Sequence, residues 1–164
     1  MIILTQLDTH KKMVIDPTIF IVHQPRRLKL QLPGKRAFQT TTIMSVFTPE
    51  FCFRVEEPYE PVAEALINSH PGEFLEWTHG ETGTKFCLCA QMFALFEPGC
   101  ATGFPTSEGG METTNRTSIV SVMNPAVWVP LKETFAEAKN KYNSVLLSWQ
   151  IKSAAAAWGR KNDA

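Results

Sequence analysis

No apolar run in this 164-residue chain approaches the length needed to cross a bilayer as a helix. The opening Met1-Ile2-Ile3-Leu4 has no basic leader before it, so it reads as the start of a strand and not as a signal peptide. Cysteine is scarce, with four residues, and without a secretory signal these are expected to be reduced thiols in a cytoplasm. Catalytic signatures are also lacking. Gly109-Gly110 is not followed by the lysine and hydroxyl residue of a phosphate loop. His10, His23, His70 and His79 fall at or near predicted turns, with no nucleophile signature beside them. No catalytic residue, metal or cofactor is therefore assigned. Asn115-Arg116-Thr117 matches a glycosylation sequon, which means nothing without export.

What is present is an internal repeat. Thr42–Leu66 matches Ser118–Tyr142 at a constant offset of 76, with Ile43 over Ile119, Pro49 over Pro125, Val55 over Leu131 and Tyr59 over Phe135. Upstream the offset is 73, placing Leu4-Thr5 on Trp77-Thr78, Ile15 on Leu88, Phe20 on Phe93 and Val22 on Leu95. The length change therefore sits in one connection, roughly 26–40 against 99–115. The expected fold is α+β, a tandem duplication of a small βββα-like unit. Residues 1–70 form the first sheet-and-helix repeat, and 73–164 the second with a longer C-terminal helix. Units of about 70 residues are marginal alone, so the two are expected to pack as one globular body.

Within the first repeat, alternation or short apolar runs predict strands at Ile2–Leu7, Lys12–Ile15, Ile19–Val22, Phe38–Phe47 and around Phe51–Val55. Leu28, Leu30 and Leu32 alternate with polar residues and suit a further half-buried strand. Glu56-Glu57-Pro58 predicts a helix start, and Tyr59, Val62, Ala63 and Leu66 place one stripe toward the sheet. In the second repeat, Lys85–Phe96 reads as a strand region broken near Gln91, 99–115 as a loop, and Thr117–Met123 and Ala126–Val129 as strands. Pro130 is expected to start a helix reaching Trp158. Its stripe of Phe135, Ala138, Tyr142, Val145 and Trp149 steps as a packed seam, and Leu147, Ile151, Ala154 and Trp158 form a second stripe. One stripe needs its own sheet. The other needs a second subunit or the space between the repeats. A homo-oligomer interface through Phe135, Tyr142, Val145, Trp149, Ile151 and Trp158 follows from the first alternative.

Charge is uneven along a chain of zero net charge: +5 over 1–54, −9 over 55–112 and +4 over 113–164. Arg26, Arg27, Lys29, Lys35 and Arg36 crowd into one connection, the expected hairpin between two strands. With Arg116 they are the candidate ligand-binding residues, suited to phosphate or to an acidic protein surface. A solvated strand using charge against edge pairing is the bland alternative. Phe38 is the one aromatic near these cations, which argues against sequence-specific nucleic-acid recognition. Cys87-x-Cys89 puts two thiols on one strand face, but CxC is not the usual zinc knuckle and core packing is the expected role.

Met1-Ile2-x-Leu4-Thr5, Ile15-Asp16-Pro17 with Ile19, Thr42-Ile43, Phe53-x-Val55-Glu56, Val62 and Leu66-Ile67 resemble the small flagellar FlbD family. Similar small proteins occur in phages. The resemblance implies a short sheet followed by a helix, and it carries no catalytic residue. The expected function is a non-enzymatic binding protein of a phage or bacterium. It acts as an oligomer on an anionic protein or a phosphate-bearing small molecule, in the host cytoplasm if phage-encoded. The alternatives are a virion accessory or assembly component, and an enzyme with its site between the repeats, where Glu108, Glu112 and Arg116 are the residues to test.

Overall fold

The computed structural model describes residues 1–24, 40–48, 50–105, 111–145 and 147, and within 102–112 the backbone alone. The first half comprises β1 (Ile2–Thr5), β2 (Lys12–Ile15), a 3₁₀ turn (Pro17–Ile19), β3 (Phe20–His23), β4 (Thr41–Ser45), β5 (Cys52–Val55) and α1 (Tyr59–Ser69). The second comprises β6 (Phe74–Thr78), β7 (Lys85–Cys89), a 3₁₀ turn (Ala90–Met92), β8 (Phe93–Phe96), β9 (Ala101–Pro105), β10 (Met111–Thr113), β11 (Ser118–Ser121) and β12 (Trp128–Pro130). Helix α2 follows over 135–145. The class is α+β with antiparallel pairing, as composition and alternation predict.

The strands lie in sheets ordered β5-β4-β3-β7-β6, β12-β11-β8, β1-β2 and β10-β9. Single bridges, Gln6↔Val55 and His79↔Leu131, tie the first strand of each half to its last, β1 to β5 and β6 to β12. Followed through those bridges, the halves run β2-β1-β5-β4-β3 and β7-β6-β12-β11-β8. They meet where β3 pairs with β7, Val22 opposite Cys87 and His23 opposite Phe86. The element order of the first half recurs in the second, with β9 and β10 added. Hydrogen bonds recur with it: Val46 N–H donates to Ile19 O and Val122 N–H to Met92 O, both at 3.0 Å.

The seam explains why β3 and β7 are apolar over Phe20–Val22 and Phe86–Cys89. A strand covered on both faces has no solvent side to mark with polar residues. Phe86 and Leu88 point into a core with Trp77, Phe93, Ile119, Val129 and Leu131. Cys87 and Cys89 point the other way, into a core with Val22, Ile43, Val55, Tyr59 and Leu66. Ile21 and Val46 of the first half reach into the second half's core. Phe74 of the second half reaches into the first half's core.

Four expectations are corrected. The first half has five strands before its helix and the second seven, more than the three of a βββα unit, because the opening hairpin forms apart from the three-stranded meander and the second half adds the β9–β10 pair. Residues 99–115 contain the β9–β10 pair, Met111 opposite Pro105 and Thr113 opposite Ala101 with a register shift between. Backbone pairing forms that ribbon, and alternation of large apolar residues does not announce it. Pro130 closes β12, where its carbonyl accepts from Gly80 N–H at 2.8 Å, and does not open α2. The helix is opened instead by a capping box, with Thr134 N–H donating to Glu137 Oε2 at 2.8 Å and Glu137 N–H to Thr134 Oγ1 at 3.3 Å. Finally, Glu57 is not a charge at the mouth of α1. Its carboxylate turns to the backbone N–H of Thr5.

Where the turn after β6 crosses β12, Gly80 is needed for space. A Cβ there would lie 2.7 Å from the Leu131 carbonyl oxygen. α1 buries the predicted stripe of Tyr59, Val62, Ala63 and Leu66. Among the described residues no helix is long and apolar enough to cross a membrane.

Candidate functional site

β3 and β4 pair in register from Phe20 opposite Ser45 to His23 opposite Thr42. The connection between them therefore leaves and re-enters the sheet at one end. Its cations Arg26, Arg27, Lys29, Lys35 and Arg36 lie outside the described residues, as does Phe38. Its two roots are described and both are fixed. Gln24 N–H donates to Lys85 O at 2.9 Å, and Gln24 Oε1 accepts from Lys85 N–H at 3.1 Å. Gln24 Nε2 donates to Glu60 Oε1 at 3.1 Å. At the other root, Thr41 Oγ1 donates to the Glu57 carbonyl at 2.6 Å. The roots are thus tied to β7 and to the first turn of α1.

Beside them lies an open depression of about 290 Å³ lined by Glu60, Ala63, Glu64, Ile67, Asn68 and Glu76. Glu76 is already engaged, by Lys85 Nζ at 2.8 Å and by the Tyr59 hydroxyl at 3.1 Å. The Glu76 carboxylate holds the Lys85 ammonium above its ordinary pKa, and burial, with Glu76 second, raises that of Tyr59. A wall of carboxylates repels an anion, so this depression suits a cation and not a phosphate. A second open depression, of about 360 Å³, is lined by Thr78, Lys132, Glu133 and Glu137.

Arg116 is exposed on the connection into β11, and its guanidinium donates to the Gly80 carbonyl at 2.8 Å. It pins the β6–β7 turn. Of the residues expected at an oligomer interface, Val145 is buried in the second half's own core. The Tyr142 hydroxyl is within hydrogen-bond reach of the Ala90 and Phe93 carbonyls, at 3.0 and 2.6 Å. Phe135 is half-buried, while Trp149, Ile151 and Trp158 lie outside the described residues. Leu147, on the second stripe, is 59% exposed.

The cysteine pair is core. Cys87 is fully buried and Cys89 nearly so, and burial pushes the Cys87 thiol up to about 12. Among the described residues no three His, Cys, Asp or Glu side chains converge as metal ligands would. The histidines are dispersed. His10 Nδ1 pairs with Glu56, His23 stacks on Phe86 at 5.4 Å, and His70 packs against Phe74 at 5.5 Å. His79 Nδ1 accepts the N–H groups of Glu81 and Thr82 at 3.2 and 3.3 Å, as a turn cap does.

One feature escaped the sequence reading: which apolar residues are left uncovered. Ile3 is 65%, Val14 62% and Val122 56% exposed. The repeat offsets carried the signal, because Val14 corresponds to Cys87 and Val122 to Val46, both fully buried at the seam. Compared with protein-family models, with curated proteins and with solved structures, the chain finds no match.

Proposed function

We propose that the chain is one sheet-and-helix unit fused in tandem with a diverged copy of itself, and that it acts as a binding protein for an anionic partner. The recurring element order and the paired hydrogen bonds at offsets 73 and 76 support the first part. The second part is carried by one observation. The connection whose sequence holds Arg26, Arg27, Lys29, Lys35 and Arg36 has both its described roots, Gln24 and Thr41, at the same end of the sheet, each held by hydrogen bonds. Arginine forks there grip phosphate or carboxylate bidentately. The partner is a phosphate-bearing small molecule or an acidic protein surface, and an inhibitor or sequestering protein is the role that fits. From the FlbD resemblance the proposal takes the sheet-then-helix unit and no role in motility.

Native mass spectrometry of freshly purified protein, against the denatured chain mass, detects a retained ligand. Fluorescent nucleoside triphosphate is the direct probe. Arg26→Glu with Arg27→Glu abolishes its binding and leaves the melting temperature nearly unchanged. Equal binding by wild type and variant removes the connection from the site.

A second reading, an assembly component, is favoured by the uncovered apolar residues Ile3, Val14 and Val122. In that case the cations are dispensable and the sheet edges are not.

A further inference from the structure

Among the described residues, the sheet joined through the seam and the two single bridges has two open edges, and they are the counterparts of the two that close the seam. At the seam the outer edge of β3 meets the outer edge of β7. By the repeat offsets, β3 corresponds to β8 and β7 to β2. Among the described residues β8 pairs only with β11, and β2 only with β1. Each chain therefore ends in a β3-type edge on one side and a β7-type edge on the other.

The side chains at those edges are dressed for contact. Cys87 is 0% exposed at the seam, whereas Val14, its counterpart on β2, is 62% exposed. Val46 is 0% exposed, inserted into the second half's core, whereas its counterpart Val122 is 56% exposed. Phe74 is 3% exposed, and its counterpart Met1 is 88% exposed. Edge strands are normally blunted by charge, bulges or proline. Here β2 and β8 carry a single charged residue, Lys12, among Met13, Val14, Ile15 and Phe93–Phe96. Charge complements the apolar match. Gln24, which contacts the Lys85 backbone at the seam, corresponds to Glu97, and Lys85 corresponds to Lys12.

We propose that a second copy of this chain docks head-to-tail on these edges. β8 of one chain adds to β2 of the next, Leu95 opposite Val14, Phe96 opposite Met13, and Glu97 beside Lys12. Val122 enters the neighbouring chain as Val46 enters the second half at the seam. The contact joins unlike surfaces, so it repeats, closing into a ring if the rotation per chain allows and otherwise extending as a filament. The inference rests on the two-copy reading of the chain and not on the anionic ligand.

The test uses the full chain and two exposed positions whose change leaves the fold intact, with melting temperature as the control. Wild type, by light scattering after size exclusion, has a mass that is a multiple of 18.4 kDa. Val14→Asp blocks one edge and Val122→Asp the other, and each variant alone is a monomer. Mixed in equal amounts, they form a two-chain complex and nothing larger, because each retains one competent and unlike edge. Lys12→Glu loosens the assembly, and adding Glu97→Lys on the same chain restores it. A monomeric wild type overturns the inference and leaves the nucleotide test above untouched. So does either folded variant that keeps the wild-type mass, or a mixture that stays monomeric.

Discussion

Both carboxylate oxygens of Glu57 sit within hydrogen-bond reach of the Thr5 backbone nitrogen, at 2.9 and 3.0 Å. Glu133 does the same for Thr78, at 3.1 and 3.4 Å. In each half the carboxylate just before a helix fastens the end of the first strand. The bridges Gln6↔Val55 and His79↔Leu131 lie one residue further along the strand, so this buckle holds the sheet closed where only one bridge spans it.

Glu57→Ala and Glu133→Ala should therefore each lower the unfolding free energy by about 1 kcal/mol. A charge-assisted bond is lost, and a half-buried amide is left to weak solvation. Glu57→Gln retains an acceptor and should recover part of the loss. Urea titration of the three variants checks this. The sites are independent enough that the double alanine variant should show the two effects summed.

A pH dependence follows from the buried seam thiol. Burial first, and Glu76 second, push Cys87 up to about 12 from an ordinary 9.0. Its neutral form is the one the fold favours, so its contribution is intact below about pH 9. As pH rises toward 12, unfolded chains release a proton that folded chains retain, and stability falls. Tyr59, raised by burial and by Glu76, acts in the same direction. Cys87→Val, which places at the seam the residue found at position 14, should flatten the decline in melting temperature above about pH 9. Its slope near neutral pH should be unchanged.

The α1 stripe was legible because a helix period of 3.6 is local, and the break near Gln91 because an apolar run too long for one strand must bend. The α2 start was equally written in Thr134-Phe135-Ala136-Glu137, yet Pro130 drew attention first, since proline suits a helix opening as well as a strand end. The seam was not legible in the same way. Alternation places Cys87 and Cys89 on one face of β7, but it does not say that this face belongs to the other half's core. Pairing between distant strands leaves no period in the sequence. It left an asymmetry instead, a buried Cys87 against an exposed Val14 at the offset of 73. The site fared similarly: the sequence names the cations, while the register of β3 with β4 fixes where the connection that carries them leaves and re-enters the sheet.

Val145 and Leu147 separate the role of α2 within the chain from a role between chains. Val145 is 6% exposed in the second half's core, whereas Leu147, two residues on, is 59% exposed. Two residues turn a helix by about 200°, so the two side chains face opposite ways. Val145→Ala removes buried methyl groups and leaves a cavity, and it should cost about 1–3 kcal/mol. Leu147→Ala removes exposed surface and should change stability by less than about 0.5 kcal/mol. Alanine favours helix at both positions, so the difference reports packing and not propensity. If the exposed stripe contacted another chain, Leu147→Ala would lower the assembled mass at unchanged stability. Assembly through the sheet edges requires the opposite, an unaltered mass in Leu147→Ala and a loss confined to the variants at Val14 and Val122.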